Sequence, residues 1–99
     1  MYSKKVNFAT IYYKTRFDNP YIHYKVENKQ WTNAPGVKME ASLEKPGYGY
    51  KITIDLDDDD KLTACFNNGN GNWDSNNGKN YTFTVGKYTY SNGNITKID

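Results

Sequence analysis

The sequence has one cysteine and one histidine among its 99 residues. A lone thiol excludes an internal disulfide, and a lone imidazole leaves little from which to build a hydrolytic triad. Neither GxSxG nor HExxH occurs, so the signatures of the α/β-hydrolases and the zinc proteases are missing too. No apolar run approaches the roughly 20 residues that cross a bilayer as a helix. Met1 to Lys5 is short and polar, without an apolar h-region, so no signal peptide is expected ahead of Val6, and the stretch reads as cut from a longer secreted chain. A block of basic charge is absent as well. The 13 Lys and Arg are scattered against 11 Asp and Glu, for a formal net charge of +2, which excludes strong attraction to phosphate backbones or anionic lipid. No stretch of ten or more residues has helical periodicity, and there is no internal repeat, linker or heptad pattern. The length allows one domain, residues 1–99, around one hydrophobic core.

What the chain does have is aromatic side chains. Ten Tyr, four Phe and two Trp make up 16% of it, set among many Asn and Thr residues. Tyr and Trp present a rigid apolar body with a polar tip, which suits both strands and a polar ligand surface.

Period-two alternation recurs from end to end, so an all-β fold is expected. A first strand spans about Lys5 to Tyr13, with Val6, Phe8, Thr10 and Tyr12 on one face, and Asp18-Asn19-Pro20 turns the chain. In the second, Tyr21 to Glu27, the set Ile22, Tyr24 and Val26 goes inward and leaves Tyr21, His23 and Lys25 outward. Asn28-Lys29-Gln30 delivers Trp31, and Asn33-Ala34-Pro35-Gly36 is a turn before a short segment, Val37 to Leu43, closed by Pro46 and Gly47. Tyr50, Ile52, Ile54 and Leu56 form a half-buried strand, expected to pair as a hairpin with Leu62, Ala64 and Phe66 across Asp57 to Asp60. Tyr81, Phe83 and Val85 resume the alternation, another strand begins at Lys87, and Ser91-Asn92-Gly93-Asn94 carries a type I′ hairpin signal ahead of Ile95. Seven or more short strands at this spacing indicate a sandwich.

Between Asn67 and Asn80 the composition changes abruptly to Asn, Gly, Ser and Asp around one indole, Trp73. Such a loop reads as functional. Its tryptophan either binds a partner or folds back to cap the sandwich edge. Trp31, beside Gln30, Thr32 and Asn33, either binds or packs across strands. His23 alone is an ordinary surface histidine. Together with the two indoles it completes a set of π-faces on which the C–H groups of pyranose rings can pack, while Lys25, Asn76 and Asn77 offer polar contacts to hydroxyls. Cys65, inside Leu62-Thr63-Ala64-Cys65-Phe66, reads as a small buried hydrophobe rather than a nucleophile. The four aspartates Asp57 to Asp60 lack the spacing and glycine of an EF-hand, and successive residues of extended chain point to opposite sides, so they read as a solvated hairpin tip. No metal and no cofactor is expected.

The strings Ile11-Tyr12-Tyr13-Lys14, Tyr21-Ile22-His23-Tyr24, Trp31-Thr32, Pro35-Gly36 and Ala64-Cys65-Phe66-Asn67-Asn68-Gly69, leading to Trp73-Asp74 and Asn76-Asn77-Gly78, closely resemble carbohydrate-binding module family 25. The resemblance covers about Phe8 to Ile95, and the stretch from Phe66-Asn67-Asn68-Gly69 to Trp73-Asp74 is its specific part. It implies a non-catalytic, immunoglobulin-like antiparallel β-sandwich. Such a module binds starch, malto-oligosaccharides and related α-1,4-glucans as a monomeric appendage of a secreted bacterial amylase, and targets that enzyme to its polymer. It implies an extracellular location and no nucleic-acid or membrane partner. The family's sugar platform maps onto His23, Trp31 and Trp73. Two departures stand out: Arg16-Phe17-Asp18 replaces a Gly-Trp expected after the first strand, and Ser75 stands where Asn is common.

Three other readings compete. A small glycosidase needs two carboxylates about 5 to 10 Å apart, and nothing in the sequence pairs the nominees Asp18 and Asp74. A single-strand nucleic-acid-binding β-barrel interleaves aromatics with lysines in the same way, but the loop around Trp73 carries Asp74 and only Lys79. An immunoglobulin-like spacer or adhesion domain is not separated by fold alone.

Overall fold

The structure, a computed structural model, describes residues 7–57 and 60–99. Ten strands and no helix occur among them. In chain order these are β1 (Asn7–Lys14), β2 (Tyr21–Val26), β3 (Val37–Lys38), β4 (Glu40–Lys45), β5 (Tyr48–Leu56), β6 (Leu62–Asn67), β7 (Trp73–Asp74), β8 (Tyr81–Phe83), β9 (Gly86–Ser91) and β10 (Asn94–Lys97). They form two sheets, one ordered β10-β9-β1-β5-β4 and the other β3-β2-β6-β7, with β8 also pairing β6. All pairings are antiparallel except β1 with β9. This is the expected all-β sandwich.

The alternation in the sequence decides which face of each strand turns inward. Ile22 and Val26 of β2, Ile54 and Leu56 of β5, and Leu62, Ala64 and Phe66 of β6 are buried in one core, with Tyr24, Tyr50 and Ile52 packed against it. Each fully buried side chain of this size contributes about 1.5–3 kcal/mol through the hydrophobic effect. From β1 the core takes Ala9, Ile11 and Tyr13, so Phe8, Thr10 and Tyr12 form the outer face of that strand; Lys5 and Val6 lie outside the described residues. Thr10 and Tyr12 are nevertheless buried, because β1 is the central strand and its neighbours β9 and β5 cover it from both sides.

Two sequence expectations need correction. The strands on either side of Asp57 to Asp60 do not form a hairpin: β5 pairs with β1 and β4, whereas β6 pairs with β2, β7 and β8. The acidic connection carries the chain from one sheet to the other. A hairpin and such an arch place apolar residues alternately in the same way, so hydrophobic pattern alone does not separate them. In the arch the Asp60 N–H donates to the Asp57 carbonyl at 3.1 Å, and the Asp57 N–H to Asp60 Oδ2 at 3.0 Å; Asp58 and Asp59 lie outside the described residues. Likewise Val37 to Leu43 is not one segment. It splits into β3 in one sheet and β4 in the other. At the crossing Met39, 2% exposed, drops into the core, and its N–H donates to the Pro20 carbonyl at 2.9 Å. The β9–β10 hairpin forms as expected, with φ of 50° at Asn92 and 85° at Gly93, both positive as a type I′ turn requires.

Candidate functional site

Directly opposed residues of an antiparallel pair share a face, so the strand register lays out the site. On β2, inward Ile22 and Tyr24 leave Tyr21, His23 and Lys25 on the outer face. His23 stands opposite Cys65, and Tyr21 opposite Asn67, which itself stands opposite Trp73. One outer surface therefore carries the histidine and one of the two indoles.

Trp31 reaches the same surface from the loop after β2. That loop folds back along the strand: the Thr32 N–H donates to the Tyr24 carbonyl at 2.8 Å, and the Tyr24 N–H donates to Thr32 Oγ1 at 3.1 Å. The indole is thereby laid on the imidazole, with ring centroids 4.9 Å apart and planes 23° apart. On its other side His23 meets Trp73 edge-on, at 5.7 Å and 72°. Because those two angles differ so widely, the indole planes are inclined to each other rather than coplanar. Trp31 remains 37% exposed and Trp73 46%. Each indole keeps part of its surface in solvent, Trp31 with one face laid on His23.

Half-buried Thr32 and buried Asn67 hold the arrangement, and sequence reasoning missed them. Thr32 Oγ1 lies 3.0 Å from His23 Nδ1. The same hydroxyl accepts the Tyr24 N–H, so one atom ties the loop to both the strand and the imidazole. Asn67, 1% exposed, donates through Nδ2 to the Pro35 carbonyl at 2.8 Å and accepts the Gly69 N–H on Oδ1 at 2.7 Å. One amide thus ties the Trp31 loop to the start of the Trp73 loop. Gly36 lets the first of these loops approach β2, since a Cβ there would sit 2.1 Å from the Ile22 carbonyl oxygen at a φ of +109°.

Asp74 points the opposite way from Trp73, into the end of the core. Its Oδ1 accepts the Tyr81 hydroxyl at 2.7 Å, and its Oδ2 accepts those of Tyr90 at 2.6 Å and Tyr13 at 3.3 Å. Burial, reinforced by the nearby carboxylate, pushes the Tyr13, Tyr81 and Tyr90 phenols above their ordinary value. A carboxylate held by three phenols anchors β7.

The remaining candidates divide. Asn76 and Asn77 both adopt left-handed backbone, with φ of 55° and 56°, so much of the Asn-rich composition serves turn geometry. The Asn76 amide donates to the Asn80 carbonyl at 3.1 Å, whereas the Asn77 amide has no hydrogen-bond partner among the described residues. Both line a depression of about 490 Å³ beside Trp73. Lys25 is half-buried two residues from His23 on the same face and has no ion-pair partner among the described residues. Cys65 is buried beneath the aromatic cluster rather than in the central core. Its Sγ donates weakly to the His23 carbonyl at 3.8 Å, and burial raises its pKa, which makes a poor nucleophile. No group of three or more His, Cys, Asp or Glu able to hold a metal ion occurs among the described residues.

A β-sandwich that gathers inclined, partly exposed aromatic rings on one surface has the form of a binding module. The family model described as carbohydrate binding domain (family 25) matches residues 4–99, and the chain belongs to that family. It is 54% identical over 88 residues, 89% of its length, to a beta/alpha-amylase of Paenibacillus polymyxa, and 52% identical over 88 residues to a beta-amylase of Niallia circulans. It spans only 7% and 15% of those two proteins. Among solved structures it resembles the family 25 module of a Bacillus halodurans amylase in complex with maltotetraose. The TM-score is 0.85 at 42% identity, covering 93% of this chain and 97% of that one. It also resembles the CBM25-1 module of the P. polymyxa beta/alpha-amylase, with a TM-score of 0.80 at 48% identity over 98% and 97% of the two chains.

Proposed function

We propose that this chain is a single module that binds starch and α-1,4-linked malto-oligosaccharides without cleaving them, through a platform made by His23, Trp31 and Trp73. The observation that carries this reading is the stacking of Trp31 on His23 with Trp73 edge-on to the same imidazole, both indoles open to solvent. Pyranose rings present apolar C–H faces to such π-surfaces. Inclined planes fit the curvature of an α-glucan, whereas the straight ribbon of cellulose calls for coplanar rings. Lys25 and Asn77, with unspent donors beside the platform, meet sugar hydroxyls; Asn76 contributes its carbonyl oxygen. The relatives' identity as amylases supports a role in holding a covalently attached amylase at its polymer, where tethering raises the effective substrate concentration without chemistry in the module. The same context supports secretion as part of a larger extracellular protein. A nucleic-acid-binding barrel is not favoured, since the strands form two separate sheets.

Calorimetry separates the possibilities. Maltoheptaose and amylose are expected to bind and cello-oligosaccharides not to, with no hydrolysis of maltoheptaose by pure protein. Equal affinity for the two glucan types, or turnover, contradicts the proposal. A second measurement concerns Thr32. Thr32→Val keeps the shape but removes the hydroxyl that orients His23, and maltoheptaose affinity is expected to fall by about 0.5–1.5 kcal/mol, the usual worth of one net hydrogen bond. Unchanged affinity would show that the imidazole needs no such support.

A further inference from the structure

We infer that the site continues past Trp73 into a second depression, whose wall is Arg16 and Phe17 and which takes the next glucosyl residues of the same α-glucan; this rests on the starch-binding reading above. The depression lies where β1 and β9, the one parallel pair, run out side by side, with Lys14 opposite Ser91. Its volume is about 740 Å³, within the range of roughly 300–1,000 Å³ typical of small-molecule sites. It shares Asp74 and Asn92 with the depression beside Trp73, so the two are contiguous, and a chain leaving the Trp73 indole over Asn92 enters the second.

The lining suits a polyol. Phe17 is half-buried and offers an apolar wall, while Arg16 is exposed and has no carboxylate partner among the described residues. Ser91 and Asn92 add a hydroxyl and an amide on the opposite side. The segment is held by its own turn, with the Phe17 N–H donating to Thr15 Oγ1 at 3.1 Å. Lys14 and Arg16 line the depression as well, while both oxygens of the bordering Asp74 are taken up by the three phenols; continuity with the depression beside Trp73 is what assigns it the same hydroxyl-rich chain.

Amide chemical-shift mapping with maltotriose and maltoheptaose tests the inference. Maltotriose is expected to move the signals around His23, Trp31 and Trp73 alone, and maltoheptaose to move those of residues 15–17 and 91–92 as well. Arg16→Ala, at an exposed position that leaves the fold intact, is expected to weaken maltoheptaose about three- to tenfold, the loss of one hydrogen bond, and to leave maltotriose unchanged. The inference is overturned if maltoheptaose shifts the platform signals but not residues 15–17 and 91–92, if maltotriose shifts both sets equally, or if Arg16→Ala binds maltoheptaose as the wild type does. Maltoheptaose shifting neither region is a different failure, because it removes the starch-binding reading itself.

Discussion

Trp31→Ala and Trp73→Ala are each expected to weaken maltoheptaose binding by about 2 kcal/mol or more, roughly 30-fold, as for aromatic hot spots, with little change in thermal stability. The two halves of that expectation come from different observations. Binding suffers because each indole is a large rigid face of a three-ring surface and the ring centroids lie only 4.9 and 5.7 Å from His23. On the proposed platform, losing one ring would remove its own sugar contact and also uncover the imidazole. Stability survives because both indoles stand outside the core, at 37% and 46% exposure, and the bonds that shape their loops run through Thr32, Asn67 and the backbone instead. Trp31→Ala should cost His23 its stacking partner and so perturb the remaining pair more than Trp73→Ala does. Calorimetry and thermal melts on the two variants check this together. Full affinity in both would mean the platform is misassigned, and a collapse of stability would mean that the rings serve the fold.

The sequence already displayed the strands and the exposed aromatics, because period-two alternation and polar-loop composition are local properties. It showed His23 and Lys25 on the face opposite Ile22 and Val26, and the structure keeps that division. It did not show that β5 and β6 belong to different sheets. Ile54, Leu56, Leu62 and Ala64 point into one core in either arrangement, and only the pairing of β5 with β1, long-range in sequence, decides. Nor were the supports of the site legible. Thr32, Asn67 and Asp74 look like ordinary loop polar residues until the fold brings them against Tyr24, Pro35 and three tyrosines. Asp74 had a weak local signal, since alternation turns the residue after an outward Trp73 inward. The meaning of Asn76 and Asn77 was also mixed: their side chains border the site, yet their positive φ accounts for why asparagine stands there at all.

Asp74→Ala is expected to cost about 3 kcal/mol of stability, because it takes the acceptor from three phenols that are 7% exposed or less and leaves buried hydroxyls short of a partner. For a domain of this size that corresponds to a fall in Tm of roughly 15 °C. Asp74→Asn, which keeps a carbonyl acceptor, should lie between. The cost should shrink when Tyr90 is already Phe, since the ring then stays stacked on Phe66 without a hydroxyl to satisfy. Equal costs in the two backgrounds would deny that the network holds β7. The phenols add a pH signature. Their folded pKa values are raised above the ordinary 10.0, by burial first and then the carboxylate, so the unfolded chain ionises before the folded one. The stability they confer is complete below pH 10.0 and drains away as pH rises above it. Urea midpoints of the wild type should therefore drop between about pH 10 and 12, and drop less in Tyr90→Phe, which lacks one of these groups. Because Asp74 and Trp73 are neighbours on a two-residue strand, loosening the first should release the second. Asp74→Ala should then also weaken maltoheptaose binding, although no sugar need touch the carboxylate.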